Sequence, residues 1–394
     1  MIVRDITPEV KASAKEYPAI TIFGPRQSGK TTLAKMTFPD KSYYSMEDPD
    51  TRLAAESDPR GFLKTIPNGA IIDEVQRLPI LLSYIQGIVD KKNKPGMFIL
   101  TGSHQPEVHQ AVSQTLAGRT ALLTLLPFSL NELLSYKKQW GAFELIAKGA
   151  FPRLYQEKVT VDRFYNGYIQ TYVERDVRSL VNIKDLRLFQ QFLKLLAGRI
   201  GQVINYTSLG DDLGLSGTTI KNWLSVLEAS FVVFELPPFF ENITKRVVRS
   251  PKLYFTDTGL ASHLLGIGSP EQASRDPLRG GLYENMVILE ILKTFYNQGR
   301  RPELFFYRDT HGNEVDLIIR QHRQLTPIEI KSAATFTPAF LKGIKHFRNL
   351  TPKQSRTGYV LYNGADTYQV DDITIQNMLV HGCPIRFSGD TILN

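Results

Sequence analysis

The chain is poor in cysteine and histidine and has no long apolar run. One cysteine, Cys383, stands among 394 residues, which excludes a disulfide framework and any zinc or iron–sulfur centre built on several thiolates. A lone thiol also fits a reducing compartment. The seven histidines show no H-x-x-x-H ligand spacing, and no G-x-S-x-G stretch marks the nucleophile elbow of a serine hydrolase. The richest apolar stretch, Ala121 to Phe128, is far shorter than the ~18 residues that span a bilayer. The opening residues, Met1-Ile2-Val3-Arg4-Asp5, have no apolar core of signal-peptide type. These absences lead to the expectation of a soluble cytoplasmic protein with no membrane partner. Internal repeats and low-complexity segments are also absent.

Composition is otherwise that of a globular protein, 42% hydrophobic and 22% charged, with length enough for two to four domains at roughly 100–200 residues each. Lys and Arg number 47 against 39 Asp and Glu, a net charge of +8. Residues 151–254, the shortest third, hold the largest basic excess, 14 against 10. Phosphate-bearing partners are plausible there, although scattered solvated lysines have the same composition.

In the first 150 residues, short apolar runs alternate with helical patterns. Ala19 to Phe23, Ala70 to Ile72, Met97 to Leu100 and Ala121 to Leu126 read as buried strands. Asp50 to Ile66 and Pro79 to Asp90 read as helices. The alternation predicts a parallel sheet with helices on both faces. Between the first strand and the next helix stands Gly24-Pro25-Arg26-Gln27-Ser28-Gly29-Lys30-Thr31-Thr32, which matches the phosphate-loop pattern G-x-x-x-x-G-K-[ST]. Its glycines let backbone N–H groups turn toward phosphate oxygens, and the following helix presents its positive end to the anion. Lys30 can reach the β- and γ-phosphates of ATP, and the Thr31 hydroxyl can ligate Mg²⁺. Some 45 residues on, Ile71-Ile72 ends in Asp73-Glu74. Asp73 is the candidate to hold the Mg²⁺ through water, and Glu74 to accept a proton from the attacking water. Thr101-Gly102-Ser103 ends the next strand, and the Ser103 hydroxyl is a candidate for the γ-phosphate.

The stretches G-P-R-Q-S-G-K-T-T, I-I-D-E-V-Q and F-I-L-T-G-S resemble those of the AAA-type P-loop ATPases of bacteria and archaea that are fused to a winged helix and a C-terminal domain of unknown function. The resemblance continues through Ala117-Gly118-Arg119, Pro127-Phe128-Ser129 and Gly149-Ala150-Phe151-Pro152, over nearly the whole chain. It implies a sheet with the phosphate-loop strand in the centre and the Asp73 strand separated from it by the Ser103 strand. It also implies an arginine that senses the γ-phosphate, for which Arg119 is the candidate.

Beyond residue 150 the pattern turns helical. Thr207 can cap a helix ending near Leu213, and Ser216 a second from about Thr218 to Ala229. Phe231 to Leu236 and Lys252 to Phe255 could then form a hairpin, giving a winged-helix shape. Thr218, Thr219, Lys221 and Asn222 would project from the second helix toward DNA, with Lys245, Arg246 and Arg249 in the wing. A Gly-, Pro- and Ser-rich boundary near Gly266 to Gly281 precedes a helix from Leu282 to Tyr296. Strands follow at 304–307, 314–319, 327–331 and 358–362. If Asp316 stands opposite Glu329, then Lys331 shares their face. That arrangement resembles the D-x(n)-E-x-K hairpin of restriction-endonuclease-like domains. The resemblance implies a second divalent metal, Mg²⁺ or Mn²⁺, on Asp316 and Glu329, with Lys331 as the catalytic lysine. A further glutamate would come from the preceding helix, Glu284 in preference to Glu290.

The expected architecture is therefore α/β: a P-loop NTPase parallel sheet with helices on both faces, then a helical winged-helix segment, then a small α/β nuclease-like domain. The expected parts are an ATPase domain at 1–150, a helical linker and winged helix at 151–265, and the nuclease-like domain at 266–394. The expected function is a Mg²⁺-dependent ATPase whose cycle switches the C-terminal region on DNA. The alternative is a nucleotide-gated module that holds protein partners or further copies of itself, with slow or no turnover and an inactive nuclease-like domain.

Overall fold

The computed structural model describes residues 2–103, 112, 114–173, 185–240 and 250–385. Five parallel strands form the first sheet, β1 (Ala19–Phe23), β2 (Tyr43–Ser45), β3 (Ile71–Asp73), β4 (Phe98–Gly102) and β5 (Thr120–Thr124), in the order β2-β3-β4-β1-β5. β1 is thus central, and β4 separates it from β3. Every residue of β1 and β4 is buried, as expected for strands covered on both faces. Ile20 and Ile22 point toward helices α1 (Thr7–Glu16) and α2 (Lys30–Thr37), where they meet Ile6, Val10, Leu33 and Ala34. Ala19 and Phe23 point the other way, into a cluster with Leu81, Leu82 and Ile85 of the helix Leu81–Lys92. The stretch read as one helix over 50–66 is two, α3 (Pro49–Ser57) and α4 (Pro59–Lys64). The break falls where Pro59 disfavours helical backbone at Asp58, and the freed Asp58 carboxylate caps α4 at Gly61 N (2.9 Å).

The helices Leu186–Gly198, Tyr206–Leu213 and Gly217–Ala229 follow, with a hairpin of β6 (Val233–Leu236) and β7 (Lys252–Phe255). Ser216 caps its helix as expected, through Thr219 N at 3.1 Å. Asn205, rather than Thr207, caps the one before it, accepting from Ser208 N (3.1 Å), so that helix starts two residues earlier.

The C-terminal part is a six-stranded mixed sheet of β8 (Leu304–Arg308), β9 (Glu314–Gln321), β10 (Gln324–Lys331), β11 (Gly358–Tyr362), β12 (Tyr368–Val370) and β13 (Ile373–Gln376), in the order β12-β13-β11-β10-β9-β8. Leu317 pairs with Ile328 in the antiparallel β9–β10 ladder, so Asp316 stands opposite Glu329. The helix Arg279–Asn297 packs across this sheet. One continuous apolar cluster runs from Leu126, Phe128 and Leu130 through Phe189 and Trp223 to Val287, Leu317 and Ile330. Among the described residues no helix is long and apolar enough to cross a membrane.

Candidate nucleotide site

The phosphate loop leaves the carboxyl end of β1 beside the ends of β3 and β4, so the strand order brings Lys30, Thr31, Asp73, Glu74 and Ser103 to one edge of the sheet. Two glycines are obligatory in the loop. A side chain at Gly24 would stand 2.0 Å from Leu125 O, and Gly29 has φ +93°, a region that L side chains rarely enter. Lys30 is buried, and its Nζ donates to Gly24 O (3.0 Å) and Pro25 O (2.8 Å), within the loop itself. Thr31 Oγ1 donates to Asp73, with both carboxylate oxygens at 3.0 Å. Asp73 also accepts from Tyr43 Oη (2.8 Å) and from Thr101 Oγ1. Burial, and then the hydrogen bond to Asp73, push the Tyr43 phenol up to about 12, so it stays a donor.

Glu74 follows Asp73 in left-handed backbone, φ 55°. Its carboxylate accepts from the side-chain amide of Gln76. Gln76 Oε1 and Ser103 Oγ are both buried and lack a hydrogen-bond partner among the described residues. The Oγ of Ser28 and Oε1 of Gln27, both in the loop, are in the same position. Arg26 pairs with Glu47 at 3.6 Å and lies 5.5 Å from the Tyr172 ring. Beside the loop is a cavity of about 220 Å³ lined by Ile2, Arg4, Gly29, Thr32, Phe128 and Pro152, among others.

Arg119 is not brought to this edge. It immediately precedes β5, its carbonyl accepts from Ala19 N (3.1 Å) at the start of β1, and its guanidinium pairs with Asp90. Because β5 runs parallel to β1, this is the end of the sheet opposite the phosphate loop. The structure therefore does not bring Arg119 together with the other candidate residues of its own chain.

On the helix Gly217–Ala229, Thr218, Lys221 and Asn222 are exposed, while Thr219 is half-buried and bonded to Ser216. Lys245, Arg246 and Arg249 lie outside the described residues.

In the C-terminal sheet Asp316, Glu329 and Lys331 converge as the register requires. Lys331 Nζ is 2.6 Å from Glu329 and 3.2 Å from Asp316, and Ile330 N donates to Asp316 (2.8 Å). Glu284 also arrives, but through an unforeseen residue. Lys252 of β7, with a side chain only 3% exposed, lies 2.9 Å from Glu284, 2.6 Å from Glu314 and 3.9 Å from Asp316. Burial works against its charge, yet the three carboxylates outweigh burial and hold its pKa above the usual lysine range. Burial raises the Glu284 and Glu329 pKa values despite their lysine partners. Lys252 and Lys331 thus occupy the space between the carboxylates, and among the described residues no group of three or more His, Cys, Asp or Glu could hold a metal. Glu290 faces away from this cluster, accepting from Leu130 N (2.6 Å) and pairing with Lys293 (2.6 Å).

Lys252, Gln76, Tyr43 and Arg4 were missed by sequence reasoning. Only Lys252 left a signal, as a lone cation at the start of an otherwise apolar strand.

A family model described as an AAA domain matches residues 16–134. Two models for domains of unknown function, DUF8612 and DUF4143, match 140–271 and 279–380. An uncharacterized protein of Mycobacterium tuberculosis is 29% identical over 378 residues, covering 94% of this chain and 82% of its own length. One of Haemophilus influenzae is 22% identical over 59% of this chain and 58% of its own. Among solved structures, the Walker-type ATPase of Pyrococcus abyssi aligns with TM-score 0.42 and 15% identity, over 67% of this chain and 96% of that one. AMPPCP-bound DnaA of Aquifex aeolicus aligns with TM-score 0.30 and 14% identity, over 57% and 85%. The sheet order and the phosphate loop are those of a P-loop NTPase fold, and the match of residues 16–134 to an AAA domain supports binding and hydrolysis of ATP.

Proposed function

We propose that the chain binds ATP with Mg²⁺, hydrolyses it, and uses nucleotide loading to switch the segments beyond about residue 150. The observation that carries this reading is the convergence of Lys30, Thr31, Asp73, Glu74 and Ser103 at the carboxyl ends of β1, β3 and β4. The N–H groups of residues 24–31 and the positive end of α2 take the phosphates. Lys30 exchanges its two loop carbonyls for β- and γ-phosphate oxygens. Thr31 Oγ1 and the Asp73 carboxylate are hard oxygen donors within 3.0 Å of each other, which suits Mg²⁺. When bound, that ion offsets phosphate charge. Glu74 takes the proton of the attacking water as the water oxygen bonds to the γ-phosphorus and the bond to the ADP oxygen breaks. Ser103 donates to a γ-phosphate oxygen, which gives its buried hydroxyl a partner. The nucleoside enters the cavity beside Gly29 and Thr32.

In this reading 1–150 is the ATPase domain, 151–265 the helical and winged-helix segment, and 266–394 the nuclease-like domain. DNA is engaged by the exposed Thr218, Lys221 and Asn222. Steady-state ATP hydrolysis with and without duplex DNA tests both halves. Stimulation by DNA is expected, and absence of any hydrolysis overturns the first half.

The second reading, a nucleotide-gated module that holds protein partners, is favoured by one observation. Lys252 fills the point where Glu284, Glu314 and Asp316 meet, which supports a C-terminal domain that does not cleave. Hydrolysis indifferent to DNA would favour this reading.

A further inference from the structure

We infer that Arg4 is a positioning residue for nucleotide binding, holding the phosphate loop in its anion-accepting form; the inference rests on the ATP reading of the loop. Arg4 lies outside every motif of the site, 20 residues before the loop, yet its guanidinium is buried against it. One terminal nitrogen donates to Ser28 O at 2.6 Å, and the other donates to Leu126 O at 2.6 Å. Nε donates to Glu132 at 2.9 Å, and the Phe128 ring lies 5.0 Å from the guanidinium carbon. The fixed fork of an arginine meets three acceptors at once, which a lysine ammonium does not reproduce.

The Ser28 contact has a direct consequence for the loop. Ser28–Gly29 is a trans peptide, and in a trans unit the C=O and N–H lie in one plane and point in opposite directions. A carbonyl fixed outward on Arg4 therefore aims the Gly29 N–H inward. Local sequence does not fix this peptide. Gly29 lacks the Cβ that restricts backbone rotation and stands at φ +93°. The direction of the N–H is set instead by Arg4, and Arg4 is set in turn by Glu132, Leu126 and Phe128. Pre-orienting a donor removes an ordering cost from the binding step, so the gain appears as affinity. Arg4 also lines the cavity beside Gly29.

The test is titration of the full chain with a fluorescent ATP analogue and Mg²⁺, alongside steady-state kinetics and a thermal melt. Arg4→Ala is expected to weaken nucleotide binding at least tenfold and raise KM by a similar factor, with a smaller change in kcat. Arg4→Lys, which can satisfy one of the three acceptors, is expected to fall between the two and guards against a misfolded alanine variant. Ser216→Ala removes the cap of the helix Gly217–Ala229, which has no bond to Arg4 or its partners. It is expected to lower the melting temperature while affinity stays within twofold. Arg4→Ala or Arg4→Lys variants that are folded and bind as the unaltered chain does overturn the inference alone. An equal loss of affinity in Ser216→Ala also overturns it, by making the effect one of general stability. An unaltered chain that binds no nucleotide overturns the ATP reading and this inference together.

Discussion

Lys30 and Glu74 meet the substrate at different moments. Lys30 faces charge that ATP already carries in the ground state, so Lys30→Ala is expected to abolish tight binding. Glu74 acts on the water, so Glu74→Gln is expected to keep affinity within a few-fold while kcat falls by about 10²–10⁴, the range typical of a lost general base. Nucleotide titration and single-turnover hydrolysis separate the two. Normal turnover in Glu74→Gln would remove it as the base. The ability to name these residues from sequence is a matter of range. Gly24 to Thr31 is a contiguous loop whose backbone form depends on its own glycines, and Asp73-Glu74 ends a strand that must lie near it. Arg4 could not be read in the same way, because its partners Leu126 and Glu132 are more than 120 positions away and any exposed arginine looks identical in sequence. Arg119 could not be placed from sequence for the converse reason. It was assigned through a resemblance, and only the parallel register of β1 and β5 reveals that it stands at the far end of the sheet.

At the scale of elements, strands were legible wherever a short apolar run was bounded by turn residues, while register was not, and the pairing of Asp316 with Glu329 stood only as a condition. The fate of β7 was not legible either, because its role is decided by the sheet it meets. β7 carries Lys252 from the hairpin into the acidic face of β9. Lys252→Met would leave Glu284, Glu314 and Asp316 without their shared cation. Breaking a buried pair in this way costs about 3–5 kcal/mol, and thermal denaturation should report a loss of that order. A melt unchanged from the parent would show that the cluster contributes little. The helix Gly217–Ala229 and β6 offer a second test through pH. Burial, and then Glu235, push Glu228 up to about 7, although it accepts from Glu235 N at 3.1 Å. A carboxylate whose folded pKa lies above its unfolded value binds more protons folded than unfolded. Stability is therefore lost as pH rises from the ordinary carboxylate range toward 7. Glu228→Gln keeps the backbone acceptor and removes the titration. The urea midpoint should fall less between pH 5 and pH 8 in Glu228→Gln than in the parent, and identical slopes would refute the assignment.

For the molecule as a whole, the question is how an event at the phosphate loop reaches the C-terminal sheet. The contacts form a continuous chain. Arg4 joins Ser28 of the loop to Leu126 O and Glu132. From the same segment, Phe128 O accepts from Lys293 Nζ at 2.7 Å, and Leu130 N donates to Glu290 at 2.6 Å. Both partners sit on the helix Arg279–Asn297, whose other end presents Glu284 to Lys252. Spatial continuity alone does not establish coupling; a two-state response at the far end is needed. The expected response is measurable by amide hydrogen exchange. With a slowly hydrolysed ATP analogue and Mg²⁺, the segment 126–134 and the helix 279–297 should both gain protection. Lys293→Met removes the ammonium that spans Phe128 O and Glu290 while keeping an apolar stem of similar length. In that variant nucleotide affinity should be retained and protection should still rise over 126–134, but the gain over 279–297 should be lost. Protection of the helix that persists in Lys293→Met would mean that nucleotide loading reaches the C-terminal sheet by another route, or through the shared apolar core as a whole.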